Sequence, residues 1–372
     1  MNQKTYNSPT CRLSSIFTNA SARATRMLLT PAWLLIAVSA LGAAEPAEQR
    51  EKNESSSATF QLANTAAHAP VMKRGEVQYV VPLTDDRVAP QFQLPAHRFT
   101  YEEQPLPEVS SRIGISHVRF PSPVKTSSER NNTVHCEYFF PKREGRAPGV
   151  IVLHILGGDF PLARLFANTL AQHGVAALFL KMPYYGERRD PASSRRMISK
   201  DPRETVEGMT QAVLDIRQAT AWLAAREEID AERLGIFGIS LGGITGALAA
   251  TAEPRLQNIC LLLAGGDIGR IAWESKELAD VRKGWQATGG SREEFLKLLQ
   301  SIDPVRYGEN VHGRRILLLN ATTDEVIPKA CTESLWESFG KPEIVWYAGG
   351  HYSVARHIFT ALDRSSRFFM PR

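Results

Sequence analysis

Cysteine is scarce in this 372-residue sequence, which has only 4. Cys11 lies in the N-terminal stretch, and Cys136, Cys260 and Cys331 leave an odd number at unrelated spacings with no Cys-x-x-Cys pair. That pattern argues against a disulfide framework and against metal sites. Cys260, inside the apolar run NICLLLAGG, reads as a small buried hydrophobe. Acidic residues are missing from the first 44 positions, where Lys4, Arg12, Arg23 and Arg26 are the only charges; the formal net charge of +5 therefore falls to +1 for the rest. No basic stripe remains to hold nucleic acid. No motif repeats at a fixed period, which excludes a solenoid.

The acid-free leader has an order of its own. A basic stretch (1–26) precedes the apolar run MLLTPAWLLIAVSALGAA (27–44), which ends in small residues before AEPAEQREKNESSS turns polar. This is the order of a signal peptide, with cleavage expected near Ala44 and export to the periplasm or medium. Organelle targeting and a membrane anchor through 27–44 are the rival readings. No stable membrane span is expected in the mature chain. Residues 45–70 have the composition of a disordered linker. Residues 71–112, rich in proline and without a clear period, are expected to form an extended arm on the main domain.

From 113 to 372 the pattern is regular. ISHVRFP and TVHCEYFFP alternate like strands about a turn. GVIVLHIL is a continuous β-branched run, the mark of a strand buried on both faces. Helical spacing in PLARLFANTLAQHG stops at Gly174; then follow the strand VAALFLKMP and a long amphipathic helix from Asp201 to Glu228. RLGIFGIS, LQNICLLL, ILLLNA and EIVWY read as further strands, with helices at 241–254, 329–340 and 353–369. Strand and helix alternate, which predicts an α/β domain with a mostly parallel sheet flanked by helices. Residues 268–309 interrupt the alternation as an insertion before the strand ILLLNA. There Ser291 and Glu294 form a capping box, and Trp273 and Trp285 belong either to a lid or to ordinary packing.

In such sheets, ligands and reactive groups gather at the carboxyl ends of strands. Ser240 follows Leu234–Ile239 between Gly238 and Gly242, and a small-residue helix begins at once. A turn this tight, with the helix start aimed at it, can present a hydroxyl and favour a developing oxyanion. Serine is a weak nucleophile without a base, and the base needs an orienting acid. Asp324 lies in the loop after ILLLNA, and His351 in the loop after EIVWY, behind Gly349 and Gly350. Asp267 and, more weakly, Glu325 are alternative acids. The Leu241 amide, just after the serine, and the Leu156 amide in the loop after GVIVL are the candidate oxyanion donors, with Gly157 as alternate. Tyr184, Tyr185 and Arg188 follow VAALFLKMP and are candidates to line the cleft. Arg188 either grips a substrate carboxylate or pairs with a structural acid such as Asp159.

The motifs GISLG, TTDEVIP and AGGH, in the chain order Ser, Asp, His, together with the loop HILGGD, resemble an α/β-hydrolase over 113–372. HILGGDF and MPYYGERR are similar to a branch first described as a domain of unknown function, whose patterns are His-x-x-Gly-x-Gly-Asp and Pro-Tyr-Tyr-Gly-x-Arg. This chain has one residue fewer in the first of them. The resemblance implies hydrolysis of an ester, thioester or amide through an acyl-enzyme, with no metal or organic cofactor. A serine carboxylesterase acting on a small-molecule, lipid or carbohydrate ester is the leading expectation. A serine peptidase or amidase, and a binding protein without activity, are the alternatives.

Overall fold

The computed structural model describes residues 71–107, 110–158 and 160–370. The expected signal peptide (1–44), the linker (45–70) and Asp159 lie outside the described residues.

Among the described residues ten strands form one sheet. They are β1 (Lys73–Tyr79), β2 (His97–Pro105), β3 (Ile113–Pro121), β4 (Thr133–Pro141), β5 (Ala147–Leu153), β6 (Ala176–Lys181), β7 (Ile229–Ile239), β8 (Leu256–Leu262), β9 (Arg315–Ala321) and β10 (Glu343–Tyr347). The spatial order is β1-β2-β3-β4-β6-β5-β7-β8-β9-β10. β1 to β4 pair antiparallel, and β4 joins β6 antiparallel. From β6 to β10 every pairing is parallel. The parallel strands contain the continuous apolar runs of the sequence, because helices cover both faces of the sheet there; β5 and β6 are buried at every position.

Eight α-helices occur among the described residues: α1 (Phe160–Gln172), α2 (Pro202–Ala224), α3 (Leu241–Ala252), α4 (Ile268–Glu274), α5 (Ala279–Ala287), α6 (Arg292–Leu299), α7 (Lys329–Ser338) and α8 (Ile358–Phe369). α2 starts where Asp201 accepts from the Arg203 amide and Pro202 occupies the first turn, a position that needs no N–H. α3 is buried all round, which only its run of small residues allows so close to the sheet. Two cores result. Met209 and Ala212 of α2 and Leu248 of α3 pack on one face, while Phe166 of α1 and Phe368 of α8 pack on the other. Among the described residues no helix is long and apolar enough to cross a membrane.

The N-terminal arm is extended and joined to the body: its two strands prolong the sheet beyond β3. Phe92 is 1% exposed, a burial worth about 2 kcal/mol. Arg217 of α2, fully buried, donates to Asp85 and to the Phe92 carbonyl, so the arm is also held by charge. The insertion before β9 is helical (α4 to α6), and Ser291 and Glu294 make the reciprocal capping box. Trp273 and Trp285 both pack against buried Phe295 within the insertion, at ring separations of 5.3 and 6.3 Å.

Candidate active site

Ser240 stands at the junction of β7 and α3 with φ 54 and ψ −115, a backbone conformation that costs a non-glycine residue energy. The flanking glycines make the turn possible. A Cβ at Gly238 would lie 2.1 Å from the Gly242 carbonyl oxygen, and one at Gly242 would lie 2.5 Å from that of His154. The bend is pinned by the Ser240 amide, which donates to Leu262 of β8 at 2.9 Å. Its effect is to lift the hydroxyl off the sheet at the first turn of α3, where the Leu241 amide begins the helix.

His351 meets that hydroxyl from the loop after β10. Its Nε2 is 2.9 Å from Ser240 Oγ. Its Nδ1 is 3.0 and 2.9 Å from the two carboxylate oxygens of Asp324. Asp324 is itself fixed, since Oδ1 accepts from the amides of Val326 and Ile327 at 2.9 and 2.7 Å. A carboxylate can only accept, so the imidazole proton belongs on Nδ1, which leaves the Nε2 lone pair for the serine hydroxyl. Ser240 and His351 are each 9% exposed. Three side chains from 240, 324 and 351 thus form one hydrogen-bonded row in which a proton can pass from Oγ to imidazole.

A second acid, from the loop after β9, holds the histidine loop. Glu325 Oε2 accepts from the His351 amide at 2.8 Å, and a Cβ at Gly350 would strike that carboxylate at 2.1 Å. Of the alternative acids, Glu325 therefore holds the backbone of the loop while Asp324 holds the ring. Asp267 is elsewhere in role: it opens α4 in a left-handed conformation, its amide bonded to Asp303.

An apolar cavity of about 90 Å³ runs from Ser240 beneath the helical insertion. Leu156, Met209, Leu241, Ile271, Leu299 and Val326 are among its walls, and Glu277 is its one carboxylate among the described residues. Glu277 accepts from Tyr352 Oη at 3.0 Å and from Ser275 Oγ at 2.7 Å. Nothing in the sequence around Glu277 distinguishes it from a surface acid; only the fold brings it to the cavity.

Two expected cleft residues are placed differently. Arg188 is fully buried and pairs with Asp215 of α2 at 2.7 Å, while also donating to the Lys181 and Asn131 carbonyls. It has no surface to offer a substrate carboxylate, and its acid is Asp215. Tyr185 packs its ring edge-on to His154 at 4.6 Å, and its hydroxyl is bonded to the Gly157 backbone. Burial pushes that phenol up to about 12. Tyr185 thus braces the loop carrying Leu156 from behind and does not line the cavity. His154 itself is buried and ties the same loop down: Met182 N–H donates to Nε2 at 3.1 Å, so Nδ1–H donates to the Ile155 carbonyl at 2.8 Å.

Comparison with known proteins agrees with this architecture. Residues 117–275 match a family described as alpha/beta hydrolase domain containing 18, and residues 208–347 match the prolyl oligopeptidase family. Two uncharacterized Mycobacterium tuberculosis proteins are each 30% identical over 184 residues, which is 46% of this chain. The chain spans about two fifths (42%) of the length of these relatives. Among solved structures, an acetyl xylan esterase from a Paenibacillus species superposes with a TM-score of 0.58 at 20% identity, covering 74% of this chain and 90% of that one. Acetyl xylan esterase 1 from a Thermoanaerobacterium species gives 0.52 at 17% identity, covering 71% and 87%. The sheet order, the helices on both its faces and these likenesses define the α/β-hydrolase fold. The chain is a member of the α/β-hydrolase superfamily.

Proposed function

We propose that the chain is a serine hydrolase, and specifically a carboxylesterase. The observation that carries this reading is the row Ser240–His351–Asp324, with both bonds near 2.9 Å and the serine on a strained turn. Ser240 Oγ attacks the ester carbonyl as His351 Nε2 takes its proton. The Leu241 and Leu156 amides receive the oxyanion. His351 returns the proton to the leaving alcohol, leaving an acyl group on Ser240. Water, activated by the same imidazole, then attacks the acyl carbonyl, and the acid is released. Asp324 keeps the ring in the Nδ1–H tautomer and stabilises the imidazolium formed in each half.

The apolar cavity beginning at Ser240 supports an uncharged, aliphatic acyl group as the part of the substrate held beneath the insertion. An acyl-chain series of p-nitrophenyl esters from acetate to palmitate tests this, with an optimum expected between butyrate and octanoate. Ser240→Ala should lower kcat on the best of them by at least ~10³. Unchanged hydrolysis by that variant would reject the assignment. The match of residues 208–347 to the prolyl oligopeptidase family favours a peptidase or amidase as the second reading. A panel of peptide amides beside the ester panel separates the two. We also propose that residues 1–44 direct export, on the order of charge and hydropathy in the sequence. N-terminal sequencing of the protein from its host should begin near Glu45, and a start at Met1 would reject export.

A further inference from the structure

A second group of chemically capable side chains lies away from Ser240. His117 of β3, His135 of β4 and Glu187, in the turn after β6, bring potential ligand atoms within 4.8 Å of one another. The sheet register creates the juxtaposition. His117 faces Glu137 across the antiparallel pair and Arg119 faces His135, so the two histidines are diagonal neighbours on one sheet face. Lys181 of β6 stands directly opposite His135. β4 is three places from β7 in the sheet order, so this cluster is separate from the serine.

We propose that His117, His135 and Glu187 form a binding site for a divalent ion of the zinc type, which fastens the turn at 183–188 to the sheet. His135 Nδ1 and His117 Nε2 are 3.2 Å apart, with the rings nearly parallel. A tetrahedral zinc with bonds of about 2.0–2.1 Å holds two imidazole nitrogens about 3.3–3.4 Å apart, so the spacing suits chelation once the rings turn their lone pairs from each other to the ion.

The carboxylates divide their roles. Glu137 is fully engaged, accepting from Arg164 through two bonds of 2.7 Å and lying 3.2 Å from Lys181 Nζ. Glu187 is held through one oxygen by Lys181 at 2.6 Å, which leaves its other oxygen to turn to the ion. An outer hydrogen bond of this kind commonly orients a ligating carboxylate. Glu187 is exposed and the histidines are half-buried, so an ion has an entry path and water can complete its shell. Two imidazoles and a carboxylate suit zinc better than calcium or magnesium, which prefer all-oxygen shells. The ion's effect would be structural, because the turn it clamps carries Tyr185, the brace of the loop at Leu156.

The test is independent of the esterase reading. The untagged protein is stripped with a chelator and titrated with zinc sulfate by calorimetry, and its melting temperature is followed with and without the metal. One equivalent of zinc should bind and raise the melting temperature by several degrees. Glu187→Gln, an exposed change compatible with the fold, and His135→Asn should each weaken zinc binding at least ~10- to 100-fold and abolish the shift. The proposal is overturned if no zinc binds, which would make the two rings a simple hydrogen-bonded pair. It is overturned equally if folded Glu187→Gln and His117→Ala bind zinc as the native chain does.

Discussion

His154 should make this fold sensitive to acid. Its ring is wholly buried, with Nε2 accepting from Met182 and Nδ1–H donating to Ile155, so both nitrogens are already committed in the neutral form. Protonation would put a second donor against the Met182 N–H. Burial is the main cause, with Lys181 and Arg188 adding repulsion, and together they push the imidazole down to about 4 from its usual 6.5. A histidine with a depressed native value is protonated first in the unfolded chain. Its contribution is therefore neutral above 6.5 and turns against folding as pH falls from 6.5 toward 4. With those two values the loss is about 1.4 kcal/mol at pH 5.5 and about 2.5 kcal/mol at pH 4.5 relative to high pH. The assay is urea unfolding at pH 7.0, 5.5 and 4.5 for the native chain and for His154→Gln, which keeps an amide able to bond but cannot titrate. The variant is expected to be less stable at pH 7 and to lose about 2 kcal/mol less than the native chain by pH 4.5. His135 shifts in the same direction in both proteins and cancels in the comparison. Parallel stability profiles would refute the reasoning.

Three further outcomes follow from named contacts. Asp215→Ala leaves the buried Arg188 guanidinium without its acid, which should cost about 3–5 kcal/mol and lower the melting temperature by about 10 °C or more; melting within two degrees of native would contradict this. Asp324→Asn keeps the size of the side chain but disturbs the tautomer of His351, so kcat should fall by about 10³–10⁴ while unfolding by urea changes little. Ile271→Phe narrows the apolar cavity, and kcat/KM for octanoate should drop ~10-fold or more relative to acetate; equal losses on both esters would show that the acyl group lies elsewhere.

Much of this was legible in the sequence because strong local signals and the global fold agree. β5 and the apolar segments of β7 (234–239), β8 and β9 are too short for helices, and the candidate serine, acid and histidine follow β7, β9 and β10. Gly238 and Gly242 announced a tight turn because no side chain fits there. The strands of the arm were harder to see. β1 (KRGEVQY) and β2 (HRFTYEEQP) lie toward the sheet's antiparallel end, and their mostly polar exposed positions hide the alternation that buries Val77, Tyr79 and Phe99. Arg188 was ambiguous for another reason. Its partner Asp215 lies 27 residues away in the middle of a long helix, where an acid normally faces water, and only the packing of α2 on the sheet removes both from solvent. Glu277 and the His117–His135–Glu187 cluster depend on contacts between distant segments, for which no local spacing gives a signal.

The central claim is that the hydroxyl at 240 is activated by His351. Incubation of the folded chain with a fluorophosphonate, followed by intact-mass analysis and peptide mapping, tests it most directly. One phosphonyl adduct per chain on Ser240, absent from Ser240→Ala and formed far more slowly in His351→Ala, is the predicted result. A folded native chain that takes up no label, or takes it up on a different serine, would contradict the account.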